Sequence, residues 1–257
     1  MDAVVIIPAR YRSSRFPGKP LAPLQNKPLL RHVFEKAKSC RLAKEVVIAT
    51  DNPQIQEAAA SWGAKAMMTS EKHPSGTDRV AEAAGSLEWA DIVVNLQGDE
   101  PLIRPGMIDD VIMLMHEAGM KADIGTLVRK IEDVGEFSDP NVVKVVFDGE
   151  GRALYFSRSP IPFERDGAAN VAIHGVATHG APPCAYKHIG IYAYRREVLL
   201  RLAALPPTRL EVTEKLEQLR ALEHGMRIKV KETGFDSIGV DTPEDLEKVE
   251  KWLNSYS

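Results

Sequence analysis

The stretch VVIIPARYRSSRFPGKPL, Val4–Leu21, decides how the rest of the chain is read. Its first four residues, Val4, Val5, Ile6 and Ile7, form a continuous apolar run, the pattern of a strand buried on both faces. The chain then turns basic. Arg10, Arg12, Arg15 and Lys19 fall within ten residues, punctuated by Pro8, Pro17, Gly18 and Pro20. Ligands of open α/β sheets sit beyond the carboxyl ends of the strands, so four cations just past a first strand suit a polyphosphate. A solvated basic loop is the plain alternative; the strand directly before it, and Ser13 and Ser14 within it, favour phosphate. Neither a Gly-x-x-x-x-Gly-Lys-Ser/Thr nor a Gly-x-Gly-x-x-Gly pattern is present. Side chains and a few backbone amides must therefore do most of the holding.

Outward from that stretch, helix and strand patterns alternate. Pro28 opens a helix with Leu29, Leu30, Val33, Phe34 and Ala37 at helical spacing. Strands are predicted at Val46–Thr50, Ala64–Thr69 and Asp91–Leu96, with helices after Asn52-Pro53, after His73–Asp78 and after Pro105. This alternation predicts an α/β fold with a mostly parallel sheet and helices on both faces. The methionines at 107, 113, 115 and 120 read as core filler. Beyond them ADIGTLV, VVKVVFD, RALYFSR and HIGIYAY are strand-like with mostly loops between, which predicts an antiparallel or mixed extension of the sheet. Residues 164–185 lack a period, and an insertion of that length suits a functional, mobile or interface segment. A helix over Glu211–His224 with Val212, Leu216, Leu219 and Leu222 inward, an alternating strand RIKVKE and a last helix complete the reading.

The composition sets bounds. The 257 residues are 44% hydrophobic and 27% charged, with a net charge of −3. That is a globular composition without the basic excess of a nucleic-acid binder. Cys40 and Cys184 form no disulfide framework and no paired metal motif, which suits a reducing cytoplasm. No apolar run reaches the ~20 residues of a membrane span, and the opening residues carry no secretion-signal pattern.

Two further loops carry chemistry. QGDEP, Gln97–Pro101, follows a buried strand, which places Asp99 and Glu100 at the same edge as the basic loop. A carboxylate there is a natural Mg²⁺ ligand, since that ion takes one or two carboxylates and fills the rest with phosphate oxygens and water. Asp241, in GVDTPED between a strand and a helix, is a second candidate; Asp241 or Thr242 can equally serve only as the helix N-cap. SGTDR, Ser75–Arg79, is a turn into a helix, either a simple capped turn or an anion or base-edge site.

These segments resemble a known family. IIPARYRSSRFPGKPL, HPSGTDRVAEA and VNLQGDEPLI are similar to signature segments of the 3-deoxy-manno-octulosonate cytidylyltransferases, the CMP-Kdo synthetases. SRSPIP, the His-x-Gly-x-Tyr run KHIGIYAYR, LEQLR and GVDTPEDLEKV resemble the Kdo branch in particular, and the likeness covers nearly the whole chain in the family's order. The resemblance implies one domain over 1–257, with a three-layer doubly wound sheet of the sugar-nucleotidyltransferase type. It also implies a smaller antiparallel extension, about 155–195, through which two copies form a homodimer. It further implies a cytoplasmic, Mg²⁺-dependent enzyme that joins CTP and Kdo into CMP-Kdo and pyrophosphate for lipopolysaccharide synthesis. Carried over to this sequence, Arg10, Ser13, Arg15 and Lys19 bind the triphosphate; Ser75, Gly76, Thr77 and Gln97 surround the cytosine and ribose. Asp99 and Asp241 hold Mg²⁺, and Lys19, Arg10, Asp99 and Asp241 are the catalytic group. Arg158, His188, Tyr192, Glu217 and Gln218 line the sugar pocket. Two positions depart from the family pattern: Lys187 stands where an Arg is frequent, and Arg12 where a small residue is common.

The residues also have readings of their own. His188, Gly190 and Tyr192 share one strand face, suited to a polyol or to ordinary inward packing. Glu217 and Gln218 lie on the helix flank away from Leu216, Leu219 and Leu222, as a solvated face also does. Arg158, near a strand end, offers a planar fork to a carboxylate. In-line transfer to a hydroxyl needs positioning and charge neutralisation more than covalent help, so no dedicated general base is expected. The rival readings are a related acid-sugar substrate and a non-catalytic nucleotide-sugar sensor.

Overall fold

A computed structural model of the chain describes residues 1–12, 16–165 and 184–255. Ser13, Arg15 and most of the 164–185 insertion lie outside the described residues.

β1 (Ala3–Ala9) is buried along nearly its whole length, as its unbroken apolar run requires. Its odd and even residues serve two cores. Val5 and Ile7 pack with α1 (Leu29–Lys38), α2 (Pro53–Ser61) and α4 (Pro105–Ala118). Val4 and Ile6 pack with α3 (Gly76–Gly85) and α6 (Arg196–Ala203) on the other face. Three layers result, because a strand apolar on both sides is satisfied only between two helical layers.

The main sheet also contains β4 (Ala43–Thr50), β5 (Lys65–Met68), β6 (Ile92–Asn95), β7 (Ile124–Lys130), β10 (Tyr186–Arg195) and β11 (Ile228–Glu232), in the order β11-β7-β10-β6-β1-β4-β5. All run parallel except β10, which is antiparallel to both neighbours. β8 (Lys144–Phe147) and β9 (Ala153–Ser157) form an antiparallel hairpin joined to β10 at the pair Lys144 and Lys187. Two-residue strands β2 (Pro23–Leu24) and β3 (Lys27–Pro28) make a small separate ladder. The doubly wound, mostly parallel sheet with a smaller antiparallel part is thus present.

Four details differ from the sequence expectation. HIGIYAY is no outlying strand: as β10 it lies inside the main sheet, between β6 and β7. Of the described residues in 155–195, the first three end the hairpin strand β9 and Tyr186–Arg195 lie in the sheet centre. Residues 211–224 do not form one helix. Lys215 adopts φ 55 and separates α7 (Arg209–Glu214) from α8 (Gln218–Glu223). The break leaves Val212 52% exposed, while Gln218, expected on the polar flank, is turned inward to 9%. Met107 and Met115 fill the core, but Met113 and Met120 are exposed. Finally, α6 and the short α5 (Val134–Ser138) add helices that the pattern did not single out. Among the described residues, no helix is long and apolar enough to cross a membrane.

Candidate active site

The cleft opens where β1 and β6 end. Pro8, Ala9, Arg10, Lys19, Ser75, Gly76, Gln97, Asp99 and Asp241 line a cavity of about 180 Å³. Three loops build it, and each is locked by a local feature. Gly18, at φ 73, starts a 3-10 turn over Lys19–Leu21 and donates its N–H to Tyr11 O at 3.0 Å. Only glycine takes that φ without strain. The Gln97–Pro101 loop presses against β1: a Cβ on Gly98 would stand 2.9 Å from Pro8 O. Gly98→Ala is therefore expected to destabilise the protein by about 1–3 kcal/mol, read from denaturant unfolding; an unchanged midpoint would show that this approach is slack. The third loop hangs from the second, because Val240 N donates to Asp99 O at 2.8 Å.

Lys19 is the point where these loops meet. Its Nζ donates to Asp99 Oδ2 at 2.5 Å and to Val240 O at 2.9 Å, and lies 3.6 Å from Asp241 Oδ1. The side chain is only 13% exposed. The ambiguity of the Asp241-Thr242 pair is settled by geometry. Thr242 Oγ1 accepts from Asp245 N at 3.3 Å and so caps α9 (Pro243–Ser255), whereas the Asp241 carboxylate faces Lys19. Beside Asp99, Glu100 is buried and accepts from Ser237 Oγ at 2.8 Å. Burial, then the neighbouring Asp99 charge, pushes its pKa up to about 7.

A second, smaller cavity of about 100 Å³ adjoins the first and shares Gln97 with it. Thr77, Asn95, Tyr192, Tyr194, Glu217 and Gln218 line it. Thr77, expected by the nucleotide, stands here: its Oγ1 donates to Glu217 Oε2 at 2.5 Å. Ser75, the N-cap of α3, has its Oγ 2.9 Å from Glu217 Oε1. The break at Lys215 thus turns Glu217 and Gln218 from a solvated flank into a wall of the site. Burial pushes the Glu217 carboxyl above its usual range, against the hydrogen bonds from Thr77 and Ser75.

His188 stacks tilted on Tyr192, with ring centroids 5.0 Å apart, and its Nε2 lies 2.9 Å from Thr126 Oγ1. Desolvation pushes its pKa down to about 3. A base with a depressed folded pKa binds fewer protons folded than unfolded, so its contribution to stability falls as pH drops from about 6.5 towards 3. Wild type is expected to lose more stability than His188→Gln between pH 7 and pH 5 in urea unfolding; parallel losses would refute this. Arg158 lies at the end of β9. Its Nε donates to Glu214 O at 2.8 Å and its Nη1 to Pro140 O at 3.0 Å.

The geometry therefore brings Arg10, Lys19, Ser75, Gly76, Gln97, Asp99 and Asp241 to one cleft, and Thr77, Tyr192, Glu217 and Gln218 to the next. His188 adjoins the second, and Arg158 stands on the hairpin beyond His188. Sequence reasoning passed over Arg79, which lines the first cleft and is held by Asp51 Oδ2 at 2.6 Å and Thr69 Oγ1 at 2.5 Å. Its place at the end of SGTDR was the available signal; its partners lie too far off in sequence to be read.

A basic loop, two carboxylates on one lysine and a polar second cavity meet at the same sheet edge, an arrangement suited to nucleotidyl transfer. Residues 4–228 match the family model described as cytidylyltransferase. A 3-deoxy-manno-octulosonate cytidylyltransferase of Thermodesulfovibrio yellowstonii is 53% identical over 100% of both chains. That of Geobacter sulfurreducens is also 53% identical, over 97% of this chain and 98% of its own. The solved structure of a CMP:2-keto-3-deoxy-manno-octonic acid synthetase complexed with CTP superposes with a TM-score of 0.89 at 42% identity, covering both chains fully. A cytidylyltransferase of Leptospira borgpetersenii, at 19% identity and TM-score 0.65, shares the fold. The chain belongs to the 3-deoxy-manno-octulosonate cytidylyltransferase family.

Proposed function

We propose that the chain transfers CMP from CTP to Kdo, releasing pyrophosphate, and that the two cavities hold the nucleotide and the acid sugar respectively. The observation that carries this reading is the convergence of Lys19, Asp99 and Asp241 beside Arg10, with Gln97 shared by the adjoining Glu217-lined cavity. The anomeric hydroxyl attacks the α-phosphorus, the bond to the β-phosphate oxygen breaks, and the hydroxyl proton passes to solvent. Arg10, Arg15 and Lys19 neutralise the triphosphate and its departing pyrophosphate, and Ser13 binds it by hydrogen bonding. Ser75, Gly76 and Gln97 border the nucleoside. Arg158 pairs with the sugar carboxylate, and His188, Tyr192, Glu217 and Gln218 take its hydroxyls.

Asp99 and Asp241 fit a Mg²⁺ site. They approach one cationic point from two loops, and two carboxylates completed by phosphate oxygens are a set that ion accepts. When bound, it would supply charge neutralisation at the phosphoryl oxygens and acidify the attacking hydroxyl. The reading extends to a cytoplasmic homodimer that serves lipopolysaccharide synthesis. A nucleoside triphosphate substrate suits the cytoplasm. The dimer is supported by two exposed apolar side chains, Leu154 at 58% on the edge strand β9 and Phe163 at 69% in the segment after it.

Pyrophosphate release from CTP, measured with Kdo and with other acid sugars, tests the function. Release with Kdo, abolished by chelating the divalent ion, is expected. Release with another acid but none with Kdo would move the specificity; CTP binding without turnover on any acid would make the protein a sensor.

A further inference from the structure

We infer that Lys144 and Glu214 are positioning residues for Arg158, and that together they set where the sugar's carboxylate is held. The inference deepens the proposed function and rests on Arg158 meeting that carboxylate.

Lys144 is fully buried. Its ammonium donates to three main-chain carbonyls: Arg158 O at 2.6 Å, Val142 O at 2.6 Å and Asp139 O at 2.9 Å. An ammonium has three protons and no acceptor, so three carbonyls satisfy it fully and allow it to stay buried. Asp139 and Val142 flank Pro140, whose carbonyl accepts from Arg158 Nη1. Lys144 thus fixes both the backbone of Arg158 and the segment on which its guanidinium rests.

Glu214 grips the same residue from the other side. Its Oε2 accepts from Arg158 N at 3.0 Å, its Oε1 from Ser157 Oγ at 2.7 Å, and its main-chain O from Arg158 Nε at 2.8 Å. Glu214 is the last residue of α7, directly before the left-handed Lys215. The break that turns Glu217 into the second cavity therefore also places the Glu214 carbonyl under Arg158.

The register extends this to His188. Lys144 pairs with Ser157 on one side and Lys187 on the other. The next bond, His188 N to Val143 O, is 2.8 Å, and Phe156 meets the His188 ring edge-on at 5.3 Å between centroids. One residue thus stands between the neighbours of Arg158 and of His188 and sets their spacing. Errors of about 1 Å in such spacing are felt strongly in catalysis.

The test is steady-state pyrophosphate release with Kdo and CTP varied separately. Lys144→Met and Glu214→Ala are each expected to raise KM for Kdo roughly tenfold, with KM for CTP within about twofold. Adding Glu214→Ala to Arg158→Ala should change KM for Kdo no further, since Glu214 acts through Arg158, whereas Lys144→Met should add only the smaller part that reaches the sugar through His188. Glu214→Gln, which keeps one acceptor oxygen, should recover part of the loss. If Lys144→Met loses its cooperative unfolding transition, the Glu214 variants decide, because that side chain lies outside the core. Equal rises in both KM values, a full additional rise in the Arg158→Ala background, or an unmoved KM for Kdo would overturn the inference. If Arg158→Ala itself leaves KM for Kdo unchanged, the site reading fails and the inference falls with it, which separates the two failures.

Discussion

Replacing Lys19 by Met is expected to lower kcat about a thousandfold, the scale of removing one preorganised charge from developing phosphoryl charge. The ammonium is held by Asp99, Asp241 and Val240 O and is nearly buried, so it is fixed before substrate arrives. Its preorganisation costs nothing at the moment of transfer. Lys19→Arg should not restore the rate. The guanidinium is a planar fork, and a point charge is what lies between the two carboxylates. The Met variant also leaves Asp99 and Asp241 facing each other without their shared cation, and a stability loss of roughly 2 kcal/mol is expected from the broken charge-assisted bonds. Single-turnover pyrophosphate release and urea unfolding read the two effects. More than a tenth of wild-type kcat in Lys19→Met would remove this lysine from the chemistry.

Asp241→Asn and Thr242→Ala are expected to part company, although the two residues are adjacent. The first keeps shape and removes one charge of the Asp99–Asp241 pair beside Lys19, the proposed Mg²⁺ site, so activity should fall about a hundredfold or more with little change in unfolding midpoint. The second removes the α9 cap and should cost about 1 kcal/mol of stability while most of the activity remains. Equal effects of the two variants on rate would mean that the Asp241 turn is only a helix start. The contrast is available because the contacts divide the labour: Thr242 Oγ1 hydrogen-bonds Asp245 N, and the Asp241 carboxylate pairs ionically with Lys19.

Much of this site was legible in the chain. Val4–Ile7 reads as a strand buried twice because period and polarity are local properties, and the structure places it between both cores. Lys19, Asp99 and Ser75 were legible because strand ends in a parallel sheet share an edge. The Thr242 cap was one of two open choices, since Asp241 and Thr242 both satisfy the N-cap pattern and only the fold shows which side chain turns inward. The Glu211–His224 helix failed for the same kind of reason. Leu216, Leu219 and Leu222 keep helical spacing, and nothing local announces that Lys215 adopts φ 55.

The sequence by itself determined the α/β class, the parallel sheet and the basic loop with its two carboxylate loops, since each rests on residues a few positions apart. Its family resemblance supplied the reaction. Tertiary structure decided what depends on strand order and long loop closures. It inserted β10 between β6 and β7, bringing Tyr192 beside Glu217. It hung the Asp241 loop from Asp99, and it closed Lys144 onto Arg158. These contacts join residues whose separation leaves no periodic trace, and only packing of the whole sheet brings them within bonding distance.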